Sequence, residues 1–333
     1  MRVADKRSTA RSRSGSEGTS DRALEAVRVR LLGGFRVSVG SRTIGQAEWP
    51  LQKAANLLKL LALAPGHRLH RERVMDALWP DSGRRAASNS LRRTLHSARR
   101  VLDPDAGSRY LASEDEQLVL CPDTSLWVDV EAFEEAAAAA RRSRVSAAYR
   151  AALDLYAGDL LPSDRYEEWA EEKRGESRRL HLELLVELAE AYEERSDLAR
   201  AVEALRMAVA KEPALEEAHA GLMRHYAISG REGEALAQYE RLRATLSKGL
   251  GFRPSTATKR LRDEIASGEF PSTLASLTGA PREERPLQFS GHNLPAPRTS
   301  FVGRERELLE VKRELAMTRL LTLTGTAARA RRG

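Results

Sequence analysis

The sequence predicts a mostly α-helical protein with small β-sheets in its first third, and three observations support this class. Short β-rich runs flank three segments of helical periodicity between residues 51 and 102. The middle of the chain repeats itself at an interval of 34 residues. The net charge is +12 over residues 1–110, −10 over 111–270 and +5 over 271–333. A basic head followed by an acidic module suggests one part that binds a polyanion and another that binds something else.

The first third begins with β-strands and continues with a helix. Val27–Leu32, Phe35–Val39 and Thr43-Ile44 are β-rich runs separated by Gly33-Gly34 and Gly40-Ser41, so they predict a small antiparallel meander. Leu51–Leu63 then has apolar residues at helical spacing and is closed by Pro65-Gly66.

The next elements complete a winged helix-turn-helix over residues 26–122. A short helix at Arg71–Leu78 supports a longer one at residues 84–102, and the runs 109–112 and 117–120 form a hairpin that would be the wing. We expect a fragment that ends near Asp123 to fold by itself.

The longer helix carries the strongest functional pattern of the chain. Its apolar stripe consists of Ala87, Leu91, Leu95, Ala98 and Leu102. The opposite face is basic or amide-bearing and lacks acidic residues; it consists of Arg85, Asn89, Arg92, Arg93, His96, Arg99 and Arg100. Arginine can bind guanine edges or phosphate, and asparagine can pair with adenine, so this face predicts binding in the major groove of double-stranded DNA. The alternative is a solvated basic face on an ordinary surface helix.

The acidic middle, residues 127–268, predicts helical repeats. Three residue pairs lie 34 positions apart, which is the tetratricopeptide period: Tyr192 and Tyr226, Ala201 and Ala235, Leu205 and Tyr239. Earlier helices are predicted at Asp129–Ala140 and Ser146–Leu161, and a charged connector helix at Glu167–Arg179. Stacked repeats of this kind usually bind proteins.

Several segments resemble known families. LLGGFRV, HRLHRERVMDALWPD and NSLRRTLHSARRVLD are similar to the OmpR/PhoB-type DNA-binding domain, an effector domain of phosphorelay regulators. AEWPLQKAANLLKLLAL, VDVEAFEEA, LYAGDLLP, the YEEW of residues 166–169 and KGLGFRPS resemble the Streptomyces antibiotic regulatory protein (SARP) family, whose second part is the bacterial transcriptional activation domain.

This resemblance implies an activator of secondary-metabolite genes that binds direct repeats in promoters, self-associates there and contacts RNA polymerase. The wing tip departs from what DNA contact favours, since Glu114-Asp115-Glu116 would repel phosphate. This wing either stays off the DNA or faces a protein.

The two ends of the chain predict different things. Residues 1–25 predict a disordered basic tail, and residues 269–298 a linker rich in Pro, Gly and Ser. Residues 299–333 resemble the start of a signalling ATPase domain of the NB-ARC-like kind, but the P-loop lysine is absent, so we expect no nucleotide cofactor. Because the last residues match a P-loop read one base out of frame, we expect a frameshift there.

Other classes of function find little support. The single cysteine, Cys121, excludes an internal disulfide and favours a reducing cytoplasm. His67, His70 and Glu72 fit the start of a helix better than a metal site. No apolar run is long enough to span a membrane, and no catalytic arrangement appears, so we expect neither a membrane protein nor an enzyme. The alternative function is a tetratricopeptide scaffold whose basic head binds without sequence specificity.

Overall fold

The structure, a computed structural model, describes residues 25–104 and 109–270. Its strands are β1 Val27–Arg30, β2 Arg36–Val39, β3 Arg42–Gly45, β4 Arg68–His70, β5 Leu111–Glu114, β6 Gln117–Leu120 and β7 Leu126–Val128. Its helices are α1 Gln52–Leu63, α2 Arg71–Leu78, α3 Arg84–Leu102, α4 Asp129–Ser143, α5 Ser146–Leu153, α6 Glu171–Glu193, α7 Leu198–Lys211, α8 Glu216–Ile228, α9 Glu232–Leu250 and α10 Thr256–Ala266. The mostly helical class is confirmed. The predicted tail before residue 25, and the segment from 271 onward with its ATPase resemblance, lie outside the described residues.

The first sheet is larger than the predicted meander. Strands β1, β2 and β3 are antiparallel neighbours as expected, and Val29 lies opposite Val37. A fourth strand, β7, pairs in parallel with the free edge of β1, so the order is β3-β2-β1-β7. Strand β7 was not predicted, because three residues carry too little periodicity and pairing with a strand about 100 residues earlier is a tertiary event.

The predicted helix-turn-helix and wing are present. Helix α1 packs against α2 and α3, and a second sheet of order β4-β6-β5 lies beside them. The wing is the β5–β6 hairpin, whose two turn residues, Asp115 and Glu116, have φ of 44° and 66°. Two left-handed residues match the twist of a tight hairpin. Strand β4 was not predicted; it exists because β6 supplies a partner, with Leu69 opposite Leu118.

The 34-residue period is confirmed as two helix hairpins, α6–α7 and α8–α9. Ser196 and Gly230, which are 34 residues apart, occupy the equivalent turns with φ of 60° and 71°. The amide of the following residue donates to the carbonyl of Tyr192 in the first hairpin, at 3.0 Å, and of Tyr226 in the second, at 2.8 Å. The two turns are therefore the same structure built twice.

Two helix predictions in the middle of the chain were wrong in extent. The helix predicted at 146–161 ends at Leu153, because the chain then turns back toward β1. There the amide of Leu161 donates to the carbonyl of Leu31 at 2.9 Å, and that of Gly33 donates to Asp159 at 3.0 Å. The charged helix predicted at 167–179 is the first part of α6, which continues to Glu193 as the first repeat helix.

The head and the repeats share one hydrophobic core. The buried Asp129 carboxylate, at the start of α4, accepts hydrogen bonds at 2.9 Å from the amides of Leu31 and Leu32, which follow β1. Buried apolar side chains continue from the first sheet through α1 and α4 into α6. The winged part is thus covered on one side by the module that follows it.

Candidate nucleic-acid interface

Helix α3 is anchored by one face. Its 19 residues extend over about 28 Å. The buried positions are Ala87, Leu91, Thr94, Ala98 and Leu102. Leu95, assigned to the apolar stripe by the sequence, is only half-buried, and Thr94 takes the buried position instead. The anchored face packs mainly on α1, so the opposite face points away from the core.

Six of the seven predicted DNA-contacting residues form an exposed stripe on that opposite face. They are Arg85, Asn89, Arg92, Arg93, His96 and Arg100. Among the described residues, none of the six takes part in a side-chain hydrogen bond or an ion pair. Their positions fall within roughly 100° around the helix, because each step of three, four or seven residues returns close to the same direction. The stripe is therefore a row of four arginines, one histidine and one amide whose side chains lack partners among the described residues.

Arg99, the seventh predicted residue, has a different environment. It is half-buried, and its Nε donates a hydrogen bond to the carbonyl of Leu111 at 2.9 Å. This bond ties α3 to the first strand of the wing. The sequence could not show it, because the partner is a backbone carbonyl on another element.

The beginning of α3 is also favourable for an anion. Gly83 precedes the helix and provides no capping side chain, and the first turn contains no acidic residue. The first amides of such a helix point outward and, together with the helix dipole, favour phosphate. Arg84 forms an ion pair with Glu72 of α2, which connects the two helices of the motif.

The wing tip is acidic and exposed, as its sequence indicates. Glu114, Asp115 and Glu116 all face solvent. One of these charges is balanced, since Glu116 Oε2 lies 3.1 Å from Arg71 Nη1. The other two leave the tip negative, so α3 and not the wing tip is the surface suited to phosphate.

The other residues of the described ranges that could carry chemistry, His70 and Cys121, have structural roles. His70 caps α2 by accepting a hydrogen bond from the amide of Glu72 at 3.3 Å, which confirms the predicted role at a helix start. Burial raises the pKa of the Cys121 thiol to about 12, so this cysteine is a neutral packing residue. No cluster of His, Cys, Asp or Glu within 25–104 and 109–270 is arranged to hold a metal ion, and no helix there could cross a membrane.

A buried ion pair that was not predicted from the sequence joins the head to the repeats. Lys59 of α1 is fully buried, and its Nζ lies 2.8 Å from Oδ2 of Asp164, in the segment before α6. The same Nζ lies 4.7 Å from the centre of the Phe35 ring. Burial lowers the pKa of Lys59, against the attraction of Asp164, which raises it. The only available signal was a lysine inside the apolar run of residues 57–62.

Comparison with known proteins agrees with this architecture. The family model described as bacterial transcriptional activator domain matches residues 128–266. The regulatory protein AfsR of Streptomyces coelicolor is 29% identical over 298 residues, covering 86% of this chain and 29% of the relative. The Streptomyces griseus AfsR is 28% identical, covering 88% of this chain and 30% of the relative. The chain thus spans about 30% of the length of the curated relatives it matches.

A solved structure shows the same fold. Mycobacterium tuberculosis EmbR, in complex with a low-affinity phosphopeptide, superposes with a TM-score of 0.60 at 22% identity. The match covers 73% of this chain and 66% of that one. The superposition shows that the fold is shared, and the matched family model shows that residues 128–266 form a bacterial transcriptional activator domain.

Proposed function

We propose that this chain binds double-stranded promoter DNA in a sequence-specific manner and activates transcription from it. The observation that carries the proposal is the exposed stripe of α3, whose cations and amide lack partners among the described residues. A helix held by its opposite face presents such side chains to the major groove. The matched activator domain and the likeness to the AfsR regulators support the same function, which we place in the cytoplasm.

We assign different tasks to the two halves of the stripe. Asn89, Arg92 and Arg93 lie in the first half of α3, where a recognition helix approaches base edges. His96 and Arg100 lie farther along and are placed for phosphate contact, as is the first turn with Arg85. Arg99, tied to the wing, would contribute its charge without being free to reorient. Base contacts would set specificity, and phosphate contacts would set affinity and its dependence on salt.

The acidic repeats would provide the activating contact. We propose that they face RNA polymerase while α3 holds the DNA, and that two copies of the chain bind side by side on direct repeats. The shared core supports this division, because a repeat module packed on the head keeps one orientation relative to the bound DNA. The negative wing tip fits a role toward protein better than a role toward phosphate.

Selection from a pool of random DNA duplexes, followed by fluorescence anisotropy across several salt concentrations, tests DNA binding. The proposal predicts an enriched motif, repeated in one orientation at about one helical turn, 10–10.5 bp. Arg92→Ala should cost about 1–3 kcal/mol and relax one base position, whereas Arg100→Ala should weaken all sequences alike. Arg260→Ala, on α10, is the matched control and should change neither property.

The alternative function, a repeat scaffold with a basic head, predicts a different result. Selection would then enrich no motif, and binding would depend on salt alone. Transcription reconstituted with RNA polymerase on the enriched promoter tests activation separately. DNA binding without any increase in transcript would refute activation and leave the proposed DNA contact intact.

A further inference from the structure

The helical module contains two grooves that are related by the 34-residue period. The first groove lies between α5 and α7 with α6 as its floor and has a volume of about 580 Å³. The second lies between α7 and α9 over α8 and has a volume of about 660 Å³. Leu188 and Tyr192 of the first floor correspond to Leu222 and Tyr226 of the second, 34 residues later.

The first groove is apolar and electrically balanced. Its apolar lining includes Ala147, Ala151, Leu185 and Leu188. Its charged lining residues are two of each sign: Arg150, Arg200, Asp154 and Glu203. Met207 of α7 stands at its wall with 57% of its surface exposed, one of the few large apolar side chains that the described surface leaves open. An exposed flexible thioether beside an apolar groove is typical of a contact surface.

The second groove carries cations that are held by neutral groups. Arg206 Nη2 donates to the Tyr226 hydroxyl at 3.0 Å, and Arg241 Nη1 donates to Gln238 Oε1 at 3.1 Å. The carboxylate that lines this groove, Glu234, is held at 2.6 Å by Arg231, outside the lining. Within the described part of the chain, neither Arg206 nor Arg241 forms an ion pair. The pKa of Glu234 is lowered mainly by its hydrogen bond from Arg231, and Arg206 and Arg241 contribute only at longer range.

Each of these two guanidinium groups is oriented by a buried side chain. Gln238, which orients Arg241, is 3% exposed and is itself held by Nδ1 of the buried His219 at 2.8 Å. Tyr226, which orients Arg206, is 4% exposed. Anchoring by buried groups fixes the two guanidinium groups in advance, so a carboxylate that binds them loses less conformational entropy.

Helix α7 is the wall that the two grooves share. Its neighbouring residues Arg206 and Met207 are separated by about 100° around the helix axis and point to different sides. Met207 lines the apolar groove, and Arg206 lines the cationic groove. The two grooves are therefore about one helix diameter apart, roughly 10 Å.

We propose that the paired grooves bind one acidic amphipathic helix of a partner protein. An apolar side chain of that helix enters the first groove, and a carboxylate seven residues away meets Arg206 and Arg241 in the second. Seven residues of helix extend about 10.5 Å, which matches the separation of the grooves. Complementary charge selects this partner over a basic helix. The proposal goes beyond DNA binding and does not depend on it.

Binding of labelled synthetic helices to the full chain tests the proposal. The probes are helix-forming peptides of about 16 residues that carry Leu and Glu seven positions apart, and a matched set with Lys in place of each Glu. We expect saturable binding of the acidic set, measured by fluorescence anisotropy at low salt. The basic set should bind at least about tenfold more weakly than the acidic set. Arg206→Glu with Arg241→Glu should reverse this preference, and Met207→Lys should weaken the acidic set. Arg260→Glu, the matched control on α10, should have no effect.

Thermal melting of each variant checks that the fold is retained, and Met207→Lys is the safer variant because its side chain is largely exposed. Three results would each overturn the proposal: no binding by the acidic set, equal binding of both sets, or equal losses in the groove variants and the Arg260 control.

Discussion

Replacing Lys59 by methionine should strongly destabilise the protein, because Lys59 and Asp164 form a buried ion pair between the head and the repeats. The two side chains are 0% and 6% exposed, and their charged atoms are 2.8 Å apart. Removing one partner of such a pair leaves an uncompensated buried charge and costs about 3–5 kcal/mol. The cost of Lys59→Met should lie near the lower limit of this range, about 3 kcal/mol, because Asp164 keeps a hydrogen bond from Gln52 at 3.3 Å.

Removing Asp164 should cost more than removing Lys59. In Asp164→Leu, the Lys59 ammonium keeps the side-chain Oδ1 of Asn56, at 3.4 Å, the face of the Phe35 ring and the longer-range attraction of Glu167. The pKa of Lys59, already lowered by burial, should fall further, so the folded variant releases a proton that the unfolded chain retains. Its stability should therefore rise with pH between 7 and 9, and its deficit against the wild type should shrink.

Denaturation with guanidinium chloride, followed by circular dichroism, measures these differences. Lys53→Met is the matched control on the same helix; its ion pair with Glu167 is 3.7 Å long and partly exposed, so the loss should stay below about 1 kcal/mol. Lys59→Met combined with Asp164→Leu should recover much of the loss, because no lone charge remains buried. A cost for Lys59→Met no larger than that of Lys53→Met would refute the reasoning.

Three further predictions follow from buried groups and from the shared core. The ring of His181 stacks on Tyr156 at 4.1 Å, and burial lowers the pKa of His181 from 6.5 to about 4. The free energy of unfolding should therefore fall as the pH drops from 6.5 toward 4, by about 2 kcal/mol at pH 5. His181→Leu should flatten this part of a denaturation–pH profile. Asp129→Ala leaves two buried amides without an acceptor and should cost about 3 kcal/mol in the same assay, whereas Asp129→Asn, which keeps one oxygen, should cost less. The shared core reverses the expectation that a fragment ending near Asp123 folds by itself: residues 25–123 lack β7 and the repeat elements that cover the head, so this fragment should lack a cooperative melt under conditions where 25–270 shows one. A sharp transition for the short fragment would contradict this.

The sequence by itself determined the elements whose pattern is local. The helical periods of residues 51–63, 71–78 and 84–102, the wing hairpin and the 34-residue repeat were all visible in the order of residues. The basic stripe of α3 belongs to the same class, because helical geometry alone places residues three and four apart on one face. Ser196 and Gly230 adopt equivalent left-handed turns, because the connection between the two helices of each repeat is formed by residues close together in the sequence.

The tertiary structure decided everything that depends on a distant partner. Strands β4 and β7 are three residues long and form only because β6 and β1 offer them open edges. The helix predicted to reach Leu161 stops early because residues 159–161 bond to the end of β1 instead. In the sequence, Lys59 is simply a lysine within an apolar run, and Arg99 is one arginine of a basic helix face. Only the fold pairs the first with Asp164 and ties the second to the wing, because the free energy of a buried or hydrogen-bonded side chain depends on the groups that surround it.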